Sequence, residues 1–332
     1  MDVYFILTEK CNYHCDFCIR RSIPPNFEHD ITFEKFCKAV VCIHDMFPGS
    51  TLILTGGEPF LHPDYQRIVR FSTNLFDRVV ITSNGSFDND TADLLIPFLK
   101  TNLYIQISLD GTRIQHDRMR GEGAYNKVIS SLENLKAASS HLALSSTVRK
   151  GQMDQVKQLA VNLNHFQFAY WKISPEQVGK PSLENIISSS EWNDFVMEIL
   201  PLCHFRVHIK KMFAFNIWDC HLQSLTKEAI TYNNNCGWGK RKLYVLPNGD
   251  ILACTCLNDR VGNIFTDSAS CIIKNIQDTA NIEVDKNSIC YSCKYKPICN
   301  GGCPGYSQKV FGQKNMGDIR CPFVSSFLLN KR

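Results

Sequence analysis

Three cysteines within eight residues, in CNYHCDFC, follow directly on a short apolar run, VYFIL. Cys11, Cys15 and Cys18 lie close enough in the chain to serve one metal centre, which fixes what the segment behind the first strand must do. Thiolates suit zinc and iron–sulfur clusters alike, so spacing alone does not choose between them. Three thiolates can grip three corners of a four-iron cluster and leave the fourth iron without a protein ligand. An open corner is a place for a small molecule to bind metal, and it points to chemistry rather than scaffolding. The zinc reading needs a fourth ligand, for which His14 is the local candidate. Closed zinc sites usually show separated ligand pairs, and this motif does not.

Cysteine usage asks for a choice of compartment. The chain has 332 residues and 16 cysteines, and its start, MDVYFILTEKC, lacks the basic region and cleavage site of a signal peptide. Metal binding is therefore a better reading than a disulfide framework, and a cytoplasmic location is expected. A hydrophobic content of 44% with 20% charged residues is an ordinary globular balance. A net charge of +4 gives no case for nucleic acid or a membrane surface. No apolar run approaches the roughly 20 residues of a membrane span.

The first two-thirds alternates short β-rich runs with longer amphipathic ones. Strands are predicted at Val3–Leu7, Thr51–Leu54, Arg78–Thr82, Leu103–Ser108, Leu142–Val148 and Phe166–Ile173, with helices around 32–47, 63–76, 90–100, 124–139 and 152–163. Thr32 before FEKF reads as an N-cap. This rhythm argues for parallel βα units, and six are too few for an eight-stranded barrel. Polar motifs fall at the predicted strand ends: TGGEP (Thr55–Pro59), Ser83-Asn84-Gly85, SLDG with Ser108 and Asp110, then HDRMRG with Arg120. Glu58 can accept hydrogen bonds from an amino group, and a guanidinium is the natural partner of a carboxylate.

With Phe17 placed just before the last cysteine, CxxxCxxC followed by GGEP resembles the signature of the radical S-adenosylmethionine (SAM) enzymes. The resemblance implies an α/β fold, a partial (β/α)6 TIM-like barrel with its cluster at the C-terminal ends of the strands. It implies that Cys11, Cys15 and Cys18 hold a SAM-binding [4Fe-4S] cluster. Around it, Phe17, Gly56, Gly57, Glu58, Ser83, Asn84, Ser108, Asp110 and Arg120 would bind SAM, with Glu58 on the amino group, Ser108 and Asp110 near the ribose, and Arg120 on the carboxylate. The activity implied is reductive cleavage of SAM to a 5′-deoxyadenosyl radical.

The C-terminal third carries a second cysteine field. Cys236, Gly249 and Cys254 are followed by Cys290, Cys293, Cys299 and Cys303, and then by Cys321. This spacing resembles the small cysteine-rich SPASM domain found on radical SAM enzymes that modify peptides. Its segment KLYVLPNGDILAC is expected as a β-hairpin, with Asn248-Gly249 at the turn. By resemblance, Cys290, Cys293, Cys299 and Cys321 would ligate an outer auxiliary cluster and Cys236, Cys254 and Cys303 an inner one, both expected as [4Fe-4S]. ITYNNN before Cys236 offers no fourth inner ligand: either Cys220 loops back or one iron is open. The domains expected are a radical SAM core at 1–190, a bridging region at 191–235 and the SPASM domain at 236–325.

Among the other cysteines, Cys37 and Cys42 are expected in the core. Cys256, two residues beyond a ligand, could donate a hydrogen atom to a substrate radical, ligate iron, or pack. Thr255 stands where sulfatase-maturing relatives carry an acid, and a threonine cannot act as that base near neutral pH. Nearby Asp259 would need a different geometry. The basic residues between Leu202 and Asn216 read as the solvated face of a half-buried strand rather than as a surface for an acidic leader.

The function expected is modification of a ribosomally made peptide by cross-linking, oxidation or epimerisation. Its partners would be an external electron donor of flavodoxin or ferredoxin type and, since the chain begins almost on its first strand, a separate leader-binding protein. The alternatives are a sugar or aminoglycoside dehydrogenase or epimerase and, with less to support it, an iron–sulfur electron carrier.

Overall fold

The computed structural model describes residues 1–22, 30–210, 212–213, 241–257, 259–280 and 282–330. These fall into two compact units. The first takes the described residues of 1–109, 116–145 and 238–280, and the second those of 110–115, 146–237 and 281–332.

Sequential parallel strands build the first unit. β1 (Asp2–Ile6), β2 (Thr51–Thr55), β3 (Val79–Ser83), β4 (Leu103–Ser108) and β5 (Leu142–Val148) pair in chain order, all parallel, β5 joining through Leu142–Ser145. Their registers bring Ile6 level with Thr55 and Ser83 level with Ile107, so the C-terminal ends line one edge of the sheet. The consecutive residues Leu52, Ile53 and Leu54, and Val79, Val80 and Ile81, are all buried, as expected of parallel strands covered on both faces. The connections are α1 (Phe33–Met46), α2 (Tyr65–Leu75), α3 (Asn89–Leu95), α4 (Arg113–Arg120) and α5 (Ala124–Asn134).

α1 shows how the pattern specifies a helix. The Thr32 side chain accepts from the Lys35 N–H at its start. Phe36, Ala39, Val40 and Ile43 form the buried stripe at helical spacing, and the Phe36 ring meets Phe5 edge-on at 5.0 Å. Cys37 and Cys42 fall off that stripe. Cys37 is half-buried and Cys42 exposed, so neither is the core residue expected from the apolar run. Cys271 is exposed too, on α8 (Ala269–Thr279). Changing Cys42 and Cys271 to serine should leave iron content unchanged and stability within about 0.5 kcal/mol, as read by iron assay and thermal melting.

The expected hairpin forms from β8 (Lys242–Val245) and β9 (Asp250–Leu252), antiparallel through Tyr244–Leu252 and Val245–Ile251. Gly249 at its turn has φ +89°, and a Cβ there would strike the Phe265 ring. β8 also pairs parallel with β1, so the hairpin extends the core sheet, and β10 (Arg260–Asn263) continues it beyond β9.

In the second unit α6 (Met153–Asn162) leads to β6 (Tyr170–Pro175), which pairs parallel with β7 (Val207–Ile209). α7 (Ser189–Ile199) begins with a capping box between Ser188 and Glu191. Three short helices follow, α9 (Lys296–Cys299), α10 (Pro304–Phe311) and α11 (Pro322–Leu329). Among the described residues no helix is long and apolar enough to cross a membrane.

Candidate cluster and cofactor site

The three cysteines of the first motif lie in the loop leaving β1, with a turn from the Cys18 N–H to the Cys15 carbonyl at 3.3 Å. Backbone bonds dock this loop's base on the end of β2: Gly57 N–H donates to the Thr8 carbonyl and Glu58 N–H to that of Lys10, both at 2.7 Å. That approach is why the double glycine is there. A Cβ on Gly56 (φ +152°) would stand 2.5 Å from the Thr8 oxygen, and one on Gly57 would land on the Lys10 carbonyl. The close approach is thus the chain's own backbone, and the glycines position the cysteine loop. Gly57→Ala should displace that loop and cost about 3 kcal/mol or more. Its readout is loss of one cluster's iron and a lowered melting temperature.

Side chains from the neighbouring strand ends complete the frame. The Glu58 carboxylate is 3% exposed and accepts from Ser83 Oγ at 2.8 Å and from the Asn84 N–H at 2.7 Å. Burial pushes the Glu58 carboxyl up to about 7, against the pull of these donors. Asn84 Nδ2 donates to Asn12 at 2.8 Å and lies 4.0 Å from Cys11 Sγ, tying the cysteine loop to β3. Arg120, in the last turn of α4, sits 5.3 Å over the Phe17 ring, and its positive charge favours the ionised forms of Glu58 and Tyr13. Burial raises the Cys11 thiol, with smaller additions from Glu58 and Cys18. An anion and a cation thus flank three thiols, a charge arrangement that matches the ammonium and carboxylate of a free amino-acid group.

Ser108 ends β4, half-buried. Asp110 belongs to the second unit, where its carboxylate accepts from the Thr147 N–H at 2.7 Å. Two contacts that no motif announced brace the cysteine loop: Glu9 pairs with Arg20 across its ends, and Asp30 takes Thr8 Oγ at 2.6 Å and Lys10 Nζ at 2.7 Å. Both join residues separated by more than one turn of chain, so local spacing carries no signal for them.

The second unit brings together a second set of thiols. Cys290, Cys293, Cys299 and Cys321 line one solvent-open cavity with Phe213, Phe323 and Lys296. Gly317, at φ +118°, leaves room beside Cys290, whose Sγ would be 3.0 Å from a Cβ there. Burial raises the Cys290 thiol and pushes Cys299 up to about 12 and Cys321 up to about 11, so metal binding here must displace protons. Backbone N–H groups of Phe323 and Val324, at the start of α11, oppose that rise at Cys321. Among the described residues no three His, Cys, Asp or Glu side chains converge closely enough for a single metal ion. Four soft thiols around one apolar cavity fit an iron–sulfur cluster.

Cys254 lies in the first unit, and its Sγ accepts from the Cys256 N–H at 3.3 Å. Cys256 is therefore held beside a ligand candidate by its backbone. Cys303 caps α10 in the second unit. Cys236 and Cys220 lie outside the described residues.

Residues 5–160 match the radical SAM superfamily. The chain carries a radical SAM domain. Its relatives include the mycofactocin maturase MftC of Mycolicibacterium smegmatis, 24% identical over 311 residues that cover 90% of this chain and 76% of that protein. They also include the AdoMet-dependent heme synthase of Methanosarcina barkeri, 24% identical over 322 residues that cover 89% and 88%. Among solved structures, Streptococcus suis SuiB bound to its precursor peptide SuiA has the same fold, with a TM-score of 0.73 at 17% identity, covering 97% of this chain and 75% of that one. The radical SAM domain accounts for β1–β5 and α1–α5. It places the three-cysteine loop, GGEP and Asn84 at one edge of its sheet, where α/β proteins bind ligands.

Proposed function

We propose that this radical SAM enzyme modifies a ribosomally made peptide. The observation that carries the SAM reading is that buried Glu58, bonded to the Lys10 carbonyl, and Arg120, over the Phe17 ring, both lie against the loop of Cys11, Cys15 and Cys18. Cys11, Cys15 and Cys18 would hold a [4Fe-4S] cluster, and Cys290, Cys293, Cys299 and Cys321 an outer auxiliary one. Bound together, the first cluster and SAM supply a carbon radical that takes a hydrogen atom from the substrate. The chain's part is placement. Glu58 accepts from the amino group, Arg120 clamps the carboxylate, and Ser83 and Asn84 fix Glu58 for that task. Ser108 and Asp110 are assigned to the ribose, and Cys236, Cys254 and Cys303 to an inner auxiliary cluster. A one-electron donor of flavodoxin or ferredoxin type would reduce the enzyme.

Likeness to a maturase and to an enzyme bound to its precursor peptide supports the peptide substrate. A small-molecule substrate is the second reading, favoured by the likeness to a heme synthase across nearly its full length. Mass spectrometry of a short peptide encoded beside the gene, co-expressed without oxygen, separates them. A peptide about two hydrogens lighter establishes cross-linking or oxidation. One deuterium gained in heavy water means epimerisation, and Cys256 then becomes the hydrogen donor to mutate. An unchanged peptide, with SAM still cleaved, moves the assignment to a small molecule.

A further inference from the structure

The second unit buries an ion pair among its cysteines that nothing above requires. Asp318 is 0% exposed and Arg320 4%. Arg320 Nε donates to Asp318 Oδ1 at 3.0 Å and Nη2 to Oδ2 at 2.6 Å, a two-pronged bond. The Cys303 N–H donates to Oδ2 at 3.1 Å, and the Cys321 N–H to the Asp318 carbonyl at 2.9 Å. The Arg320 guanidinium lies 4.0 Å over the Tyr306 ring. At Gly302 (φ +80°) a Cβ would stand 2.8 Å from Asp318 Cβ, so glycine lets the turn between Cys299 and Cys303 close on the pair.

Stability does not explain it, because a well-packed apolar pair of similar volume often does as well as a buried ion pair. Location does. The Asp318 carboxylate holds the Cys303 N–H, and its charge acts on the thiols of Cys290, Cys299 and Cys321. We propose that Asp318 and Arg320 are a charge-neutral positioning pair that seats Cys303 against the Cys290–Cys293–Cys299–Cys321 set, each charge cancelling the other's pull on the reduction potential of the outer auxiliary cluster. The proposal rests on reading those cysteines as cluster ligands. Charge beside a cluster tunes its potential: an unbalanced anion makes reduction harder and an unbalanced cation easier. In a buried setting, removing one partner exposes the clusters to the full charge of the other.

The test is an anaerobic redox titration of the reconstituted full-length enzyme, followed by electron paramagnetic resonance, with iron counted first. Asp318→Asn should shift the auxiliary midpoints upward and Arg320→Gln downward. Arg320→Lys, which keeps the charge, should stay near the wild type, and the double variant Asp318→Asn/Arg320→Gln should return toward it. A merely structural strut gives no such opposition of sign. Shifts in one direction for both single variants overturn the proposal, as does a shift with Lys as large as with Gln. If single variants lose iron, the neutral double decides: iron kept at wild-type potential supports the proposal, and iron lost overturns it. Wild-type protein holding iron for only one cluster would instead overturn the ligand assignment beneath it.

Discussion

Replacing Cys11, Cys15 and Cys18 together with alanine abolishes 5′-deoxyadenosine formation while the auxiliary iron remains. The expected loss is complete, to the detection limit of chromatography, because the three thiols sit on one loop and the described first unit offers no equivalent set there. Iron should fall by about four atoms per chain, one cluster's worth. The thiols of Cys290, Cys293, Cys299 and Cys321 line their own cavity in the other unit and should keep their iron. Chromatography with an iron assay on the same preparation reads both quantities. Persistent SAM cleavage in the variant would sink the assignment of the loop.

The second large effect concerns Glu58 and Arg120. Truncating one partner of a buried charged contact costs about 2–5 kcal/mol, so Glu58→Gln and Arg120→Met should each weaken SAM binding by roughly thirtyfold or more. Equilibrium binding to the reconstituted enzyme measures it, and an affinity within a few fold of wild type would remove the residue from the site. Glu58 also carries a pH signature. Its folded carboxyl is raised to about 7 from an ordinary 4.5, so between those values the folded chain holds a proton that the unfolded chain releases. Stability of the cluster-free protein therefore falls as pH rises from about 4.5 to 7, by on the order of 3 kcal/mol. Glu58→Gln should flatten that slope in denaturant titrations. Above pH 7 the carboxylate is ionised and ready for a cation, so the strain of burying it serves binding.

The parts of this molecule that could be read from sequence are those set by local pattern. Five of the six predicted strands match within one residue at each end, and the start of α1 matches its cap, because apolar runs, turns and caps act over a few residues. β6 starts later than predicted, at Tyr170 rather than Phe166. The hairpin was legible in Asn248-Gly249, but its pairing with β1 was not, since a parallel partner more than 200 residues away leaves no local mark. Cys42 misled because an apolar stretch of helix says nothing of which residues face inward until the stripe is counted. Gly56 and Gly57 were recognisable, yet their physical reason lies in the Thr8–Lys10 backbone. The Glu9–Arg20 and Asp318–Arg320 pairs leave no mark in the local pattern: one spans the cysteine loop, and the other gains its meaning from Cys303 fifteen residues upstream.

The most direct test of the SAM site is the electron paramagnetic resonance spectrum of the reduced, reconstituted enzyme with and without SAM. SAM should change the signal of one cluster only, and that signal should be the one missing in the Cys11, Cys15 and Cys18 variant. A spectrum indifferent to SAM, or a response that survives in the variant, would contradict an open cluster on the loop behind β1.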